Sequence, residues 1–209
     1  MKRTIIKDLF QEVDTAYIET QNLLPLLNAY SNPRDLIARL VKGGGLIRLK
    51  NGFYIISDKI KREATPYAQI ANLLYGPSYL SFEWALAFYG LIPEGVYVVS
   101  SASAVKSKIF TTPIGTFDYF ALSHARYVVG IDQLENGSGK FLIATPEKAL
   151  ADLVHMKSQG LAPDQLWVDL TEGRRIDARV LKGLNRSRLK EIAGAYRSKS
   201  VAALEKICS

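Results

Sequence analysis

Arg34, Arg39, Lys42, Arg48 and Lys50 fall within one short stretch, NPRDLIARLVKGGGLIRLKNGFYII, residues 32–56. On a helix advancing about 100° per residue, Asp35, Arg39 and Lys42 lie opposite the stripe of Leu36, Ile37, Leu40 and Val41, with Arg34 toward the N-terminal end. Guanidinium groups bond bidentately to guanine, a carboxylate accepts from cytosine, and a lysine suits a phosphate. The chemistry this pattern could perform is therefore recognition of DNA, with Arg48, Lys50 and Asn51 adding contacts from the hairpin that follows. A plainer reading also fits. Asp35 and Arg39 would form an i, i+4 pair on a solvated face, and the hairpin cations would guard an exposed sheet edge.

Other constellations do not assemble into a reaction centre. The run GSGK at residues 137–140 lacks the upstream glycine of a phosphate-binding loop, since Leu134 occupies that position, and Phe141 stands where Ser or Thr is required. It reads instead as a flexible turn between two strands. No Asp or Glu lies two residues before a lysine, as many metal-dependent nucleases would have it. His124 and His155 are the only histidines, sit far apart and lack metal-ligand spacing. Cys208 is the only cysteine, which rules out an internal disulfide or a multi-cysteine zinc site. We therefore assign no catalytic residue, no metal and no cofactor. The aromatic run Phe82, Trp84, Phe88 and Tyr89 reads as core in preference to a base-stacking platform, because Trp84, Ala85 and Phe88 share a helix side.

Particular elements must position the basic stretch. Ile5, Ile6, Leu9, Phe10 and Val13 predict a helix over residues 4–14. A short second helix is capped by Thr20, with Leu23, Leu24 and Leu27 inward and Pro25 near its first turn. Asn32 caps the third, Pro33 takes its first position, and Gly43 to Gly45 end it. Leu46 to Lys50 and Phe53 to Ile56 then form a hairpin around Asn51-Gly52, a pair suited to a type I′ turn. Three helices followed by a hairpin is the order of a winged helix-turn-helix, whose third helix enters a major groove.

Beyond residue 63 the pattern is mixed. Helices are predicted from Thr65 and Pro66 to Tyr75, from Ser81 to Gly90, and from Thr145 along TPEKALADLVHMK. Strands are predicted at Val96 to Val99, Ser107 to Thr111, Thr116 to Leu122 and Phe141 to Ala144. After Gly160 only helical patterns remain, including RSRLKEIAGAYR and SVAALEKIC, the latter capped by Ser200. The fold class is thus α+β, with an N-terminal winged helix over residues 1–63, a mixed domain over 64–209 and a basic helical tail from about 160.

The 209 residues are 48% hydrophobic, enough to bury a core. No apolar run reaches the length of a membrane span, and acids interrupt the first apolar stretch, so the expected location is the cytoplasm. The net charge of +7 divides as +4 over residues 1–66, −1 over 67–158 and +4 over 159–209. Basic character at the two ends suits polyanions. In the tail it resides in Arg174, Arg175, Arg179, Arg186, Arg188 and Arg197, which fit either nucleic acid and acidic partners or a plain soluble exterior.

Three stretches in order, LIRLKNGFYII, YLSFEWALAFYGLIPE and TPEKALADLVH, resemble the AbiEi-type antitoxins and transcriptional regulators of bacterial abortive-infection systems. The resemblance covers residues 4–157. It implies a winged-helix DNA-binding domain, an antitoxin domain, repression of the protein's own operon at inverted repeats, and a functional partner toxin of the nucleotidyltransferase class. It further implies type IV behaviour, in which neutralisation needs no stable toxin complex. Carried over by position, the DNA contacts fall on Arg34, Arg39, Lys42, Arg48 and Lys50. Inverted repeats would call for a dimer on DNA or two monomers. Three rival readings stand beside this one. They are a regulator with a ligand pocket lined by its aromatics, a nucleic-acid-modifying enzyme using Glu83, Asp118 or Glu147, and an interaction module that never touches DNA.

Overall fold

The computed structural model describes residues 10, 13–58, 60 and 64–208, and its architecture is α+β. The predicted first helix, residues 4–14, lies mostly outside these described residues. Within them, Phe10 is fully buried. The chain then runs through β1 (Tyr17–Glu19), α1 (Thr20–Leu26), α2 (Pro33–Lys42), β2 (Leu46–Lys50) and β3 (Phe53–Ile56). The second part comprises α3 (Tyr67–Leu74), β4 (Ser78–Leu80), α4 (Phe82–Phe88), β5 (Val99–Ser103), β6 (Lys108–Thr112), β7 (Gly115–Ala121), α5 (His124–Tyr127), β8 (Ile131–Asn136), β9 (Gly139–Ala144) and α6 (Pro146–Lys157). Helices α7 (Pro163–Val168), α8 (Ala178–Lys182), α9 (Arg186–Tyr196) and α10 (Lys199–Cys208) finish it, with a π turn at Asp169–Gly173 after α7.

Helix α2 forms as its punctuation dictates. The Asn32 side chain accepts from the Asp35 N–H, Pro33 occupies the first helical position, and Gly43 is the C-cap. Leu36 and Ile37 are buried, while Leu40 and Val41 are half-buried. In α1 the expectation is corrected at two points. Thr20 is the first helical residue, with Glu19 at the cap position, and Pro25 falls near the C-terminal end instead of in the first turn. Seven residues suffice to bury Leu23, and Leu27 follows it inward.

The hairpin is flanked by a third strand, giving an antiparallel sheet of order β1-β3-β2. Gly52 alone in the turn takes a positive φ, 79°, so the turn is not the type I′ form expected of Asn-Gly. The register shifts between Arg48 and Lys50. Alternation along the strands sends residues to two cores. Ile18, Leu46, Tyr54 and Ile56 pack with Phe10, Leu23, Leu27, Leu36 and Ile37. Leu49, Phe53 and Ile55 join the large cluster formed with the second part of the chain. Buried on both faces, this small sheet fixes α2 relative to everything behind it.

The larger sheet has six strands in order β6-β7-β5-β4-β9-β8, with β4–β9 and β5–β7 parallel and the other pairs antiparallel. Strand β5 begins at Val99, where the expected strand would have ended, because the fully buried run VSSAS fills the space between β4 and β7 with small side chains. The GSGK stretch forms the tight turn between β8 and β9, with Asn136 opposite Gly139. Helix α6 is capped as predicted, by a Thr145 side chain that accepts from Lys148 N–H, and starts at Pro146. The tail is helical and packs back onto α6, with α9 and α10 both against it.

Candidate functional site

Helix α2 presents Arg34, Asp35, Ala38, Arg39 and Lys42 to solvent, as the 100° spacing predicts, and Arg48 and Asn51 are exposed on the hairpin beside it. Among the described residues no carboxylate lies within ion-pair distance of Arg34, Arg39, Lys42 or Arg48. The pairing of Asp35 with Arg39 does not form. Asp35 Oδ2 instead accepts from Asn32 Nδ2 at 2.6 Å, and Arg39 Nε reaches only the Asp35 carbonyl, at 3.4 Å. Asn32 is thereby committed to the cap on both sides, accepting from one group and donating to the other. The Arg48 guanidinium lies 6.0 Å from the centroid of the Tyr54 ring, a cation–π contact that limits its sweep. This leaves a face of free cations on a helix whose position is fixed.

Lys50 departs from that face. Its ammonium donates to the carbonyls of Leu74, at 2.7 Å, and Leu73, at 3.3 Å, at the C-terminus of α3. Those carbonyls have no partners within their own helix, and the helix dipole is negative there. Burial holds the Lys50 amine below its usual range, with nearby Glu19 opposing the shift. Lys50 thus joins the hairpin to α3, a role the sequence reading did not give it.

A second concentration of polar groups, not singled out in the sequence, lies between α6, α9 and β4. Lys148 and Asp152 are wholly buried and paired at 2.9 Å. Lys148 Nζ also donates to the Arg126 carbonyl at 2.7 Å and to the Tyr196 hydroxyl, which in turn donates to Asp152 Oδ1. Asp152 Oδ2 accepts from Tyr79, at 3.1 Å, and from Ser81, at 2.5 Å. Burial first, and the Asp152 carboxylate second, raise the Tyr79 and Tyr196 hydroxyls well above their ordinary range, so both stay protonated donors. Burial lowers Lys148, and Asp152 works against that shift. All three ammonium protons are used, and each carboxylate oxygen has two donors. Phe82, adjoining Ser81, is held at φ 55°, a conformation that costs a non-glycine residue about 1 kcal/mol or more. The signal was the i, i+4 pair Lys148 and Asp152 inside an apolar helix, a spacing that ordinarily marks a solvated face.

Arg126 borders this network. Its Nε donates to the Tyr196 carbonyl at 3.1 Å and its Nη1 lies 3.0 Å from His155 Nε2. Arginine can only donate, so Nε2 accepts and the ring proton sits on Nδ1, 3.4 Å from Ser198 Oγ. Burial and the adjacent guanidinium both hold His155 below the usual imidazole range, which keeps it neutral.

The three acids of the enzyme alternative do not converge. Glu83 pairs with Lys157 and Arg174. Asp118 feels the same Lys157, although burial is the larger influence and raises its carboxyl. Glu147 lies near the opposite end of α6, about 15 Å away at 1.5 Å per residue. There it accepts from Asn185 N–H at 2.9 Å, beside Arg188. Among the described residues no group of three His, Cys, Asp or Glu side chains is placed to hold a metal ion. The tail arginines divide: Arg174, Arg175 and Arg188 pair with Glu83, Glu94 and Glu147 of the mixed domain, whereas Arg186 and Arg197 have no such partner among the described residues. The aromatic run is only partly core. Phe82 is buried, but Phe88 is 47% exposed and stacks on Trp84 at 5.7 Å.

The fold and site define an α+β protein with one open cationic face and one closed charge network. Among the described residues no helix is long and apolar enough to cross a membrane. The sequence matches no family model and no curated protein. In three dimensions the chain is similar to the crystal structure of the RV2827C protein from Mycobacterium tuberculosis, with a TM-score of 0.56 at 13% identity. The match covers 98% of this chain and 80% of that one, and shows a shared fold.

Proposed function

We propose that this protein is a cytoplasmic DNA-binding autorepressor and the antitoxin of a type IV toxin–antitoxin pair, with its N-terminal part acting as a winged helix-turn-helix. The observation that carries the DNA reading is the exposed α2 face, where Arg34, Arg39 and Lys42 have no carboxylate partner among the described residues while Asn32 and Asp35 hold the first turn. In this reading Arg39 and Arg34 address base edges, and Lys42 with Arg48 neutralises phosphates. Asn51 at the turn is a further backbone contact, and the one free oxygen of Asp35 accepts from a cytosine. The buried small sheet supports the assignment mechanically, since it anchors α2 to the larger core.

The antitoxin role rests on the three ordered stretches that resemble AbiEi-type proteins, and its partner would be a nucleotidyltransferase-class toxin. Footprinting on the DNA upstream of the gene, together with co-expression with the neighbouring gene, tests both halves. Protection of inverted repeats and rescue from a toxic neighbour are the expected results. An unprotected upstream region would remove the repressor, and a harmless or unrescued neighbour would remove the antitoxin.

A further inference from the structure

A cavity of about 350 Å³ opens between α5 and the end of α9, lined by Ser123, Ala125, Arg126, Gly194, Tyr196 and Arg197 among others. Its volume falls within the range of small-molecule sites. The charges around it do not balance. Lys148 and Asp152 cancel, Tyr79, Tyr196 and His155 are neutral, and half-buried Arg126 has no carboxylate within ion-pair distance among the described residues. A partly desolvated guanidinium without a counter-charge is costly and favours an anion. Arg126 has one terminal nitrogen left after its bonds to the Tyr196 carbonyl and His155.

Arg197 adds a second cation at the same cavity. It ends α9 in the left-handed conformation, φ 47° and ψ 43°, where glycine would fit without strain. An arginine there is backbone-expensive, and Arg197 is exposed and among the residues lining the cavity. Ser123 offers a hydroxyl that makes no capping bond to α5. Gly194, exposed and also lining the cavity, has no heavy atom within 4 Å of where its Cβ would stand.

We propose that this cavity binds a small phosphate-bearing anion, free or as a monoester, through Arg126, Arg197 and Ser123. Two guanidiniums without carboxylate partners among the described residues match the near-dianionic charge of a phosphate at neutral pH, whereas a carboxylate ligand would neutralise only one of them. Ala125, Ala195 and Gly194 give the apolar part of an ester a surface. This site is separate from the α2 face and stands or falls without it.

Calorimetric titration with inorganic phosphate and with adenosine monophosphate, at constant ionic strength against chloride, tests the proposal on the full chain. Saturable uptake of one ligand per chain at millimolar concentration or below is expected. Tighter binding of the ester identifies an esterified ligand, and equal binding identifies the free anion. Arg126 also supports the buried network, so the informative variants are Gly194→Leu, which fills the cavity, and Arg197→Gly, which removes a cation and relaxes the backbone. Each should weaken binding tenfold or more while leaving the urea midpoint unchanged or raised. No saturable uptake of either ligand by the wild type, or undiminished binding by both variants, would overturn the site.

Discussion

Arg39 and Lys148 are both cations on helices, yet Arg39 stands in solvent without a carboxylate partner among the described residues and Lys148 is wholly buried with every proton donated. The same residue chemistry is thus put to opposite uses. On α2 the charges are kept available by assigning the local acid, Asp35, to the helix cap. In the α6–α9 join they are consumed internally, where they fix Tyr196, Tyr79 and Ser81 in one arrangement. An open charge is suited to an external polyanion and contributes little to folding, whereas a closed network is structural and its disruption is expensive.

The largest expected effect comes from opening the closed network. Asp152→Ala would leave Lys148 charged and unpaired in the core, at a cost of about 3–5 kcal/mol of folding stability. Urea unfolding measures this, and a loss below about 1 kcal/mol would show that water or a repositioned group satisfies Lys148.

Alkaline titration probes the same network without mutation. Tyr79 and Tyr196 of the network are raised by burial, as is Tyr119, which lies outside it and donates to the Ala71 carbonyl, so the folded state keeps protons that the unfolded chain releases near pH 10. Stability should therefore fall as pH rises through 10, by up to about 1.4 kcal/mol per pH unit for each tyrosine. Lys148 acts the other way over the window between its lowered folded value and its ordinary one, which offsets part of the loss. A urea midpoint that stays flat from pH 9 to pH 11 would contradict this accounting.

On the open face the effects should appear in binding and not in folding. Arg39→Ala is expected to cost about 1–3 kcal/mol at the operator, little on random DNA, and nothing measurable in the urea midpoint. Equal losses on both DNAs would demote Arg39 from base reading to phosphate contact. Smallest of all, Lys50→Ala should behave as a structural change despite its place in the basic stretch. It should lower stability by about 0.3–1 kcal/mol through the lost contact with the end of α3, and leave the salt dependence of DNA binding unaltered. A salt slope reduced by about one would return Lys50 to the phosphate contacts.

Legibility from sequence followed the range of the interaction. Helix α2 was readable because Asn32, Pro33 and Gly43 act on the backbone next to them, and α6 was readable from Thr145 and Pro146 for the same reason. The exposed set on α2 followed from periodicity alone. Strand β1 escaped because three residues carry no pattern until β3 pairs with them, and β4 because SYL is short and buried throughout. Strand β8, IDQLEN, is a polar edge with no apolar alternation to detect. The bonds of Lys50 to α3 and of Lys148 to Tyr196 were not legible because these partners are distant in sequence: carbonyls 23 and 24 residues away for one, and Tyr196, 48 residues away, for the other.

The most direct test of the open face is fluorescence anisotropy of the protein on a fragment from upstream of its own gene, against a scrambled fragment, across a salt series. The account predicts roughly tenfold or greater preference for the native fragment, with affinity falling steeply as salt rises. Equal and weak binding to both, indifferent to salt, would contradict it and leave the α2 cations as ordinary solvated surface.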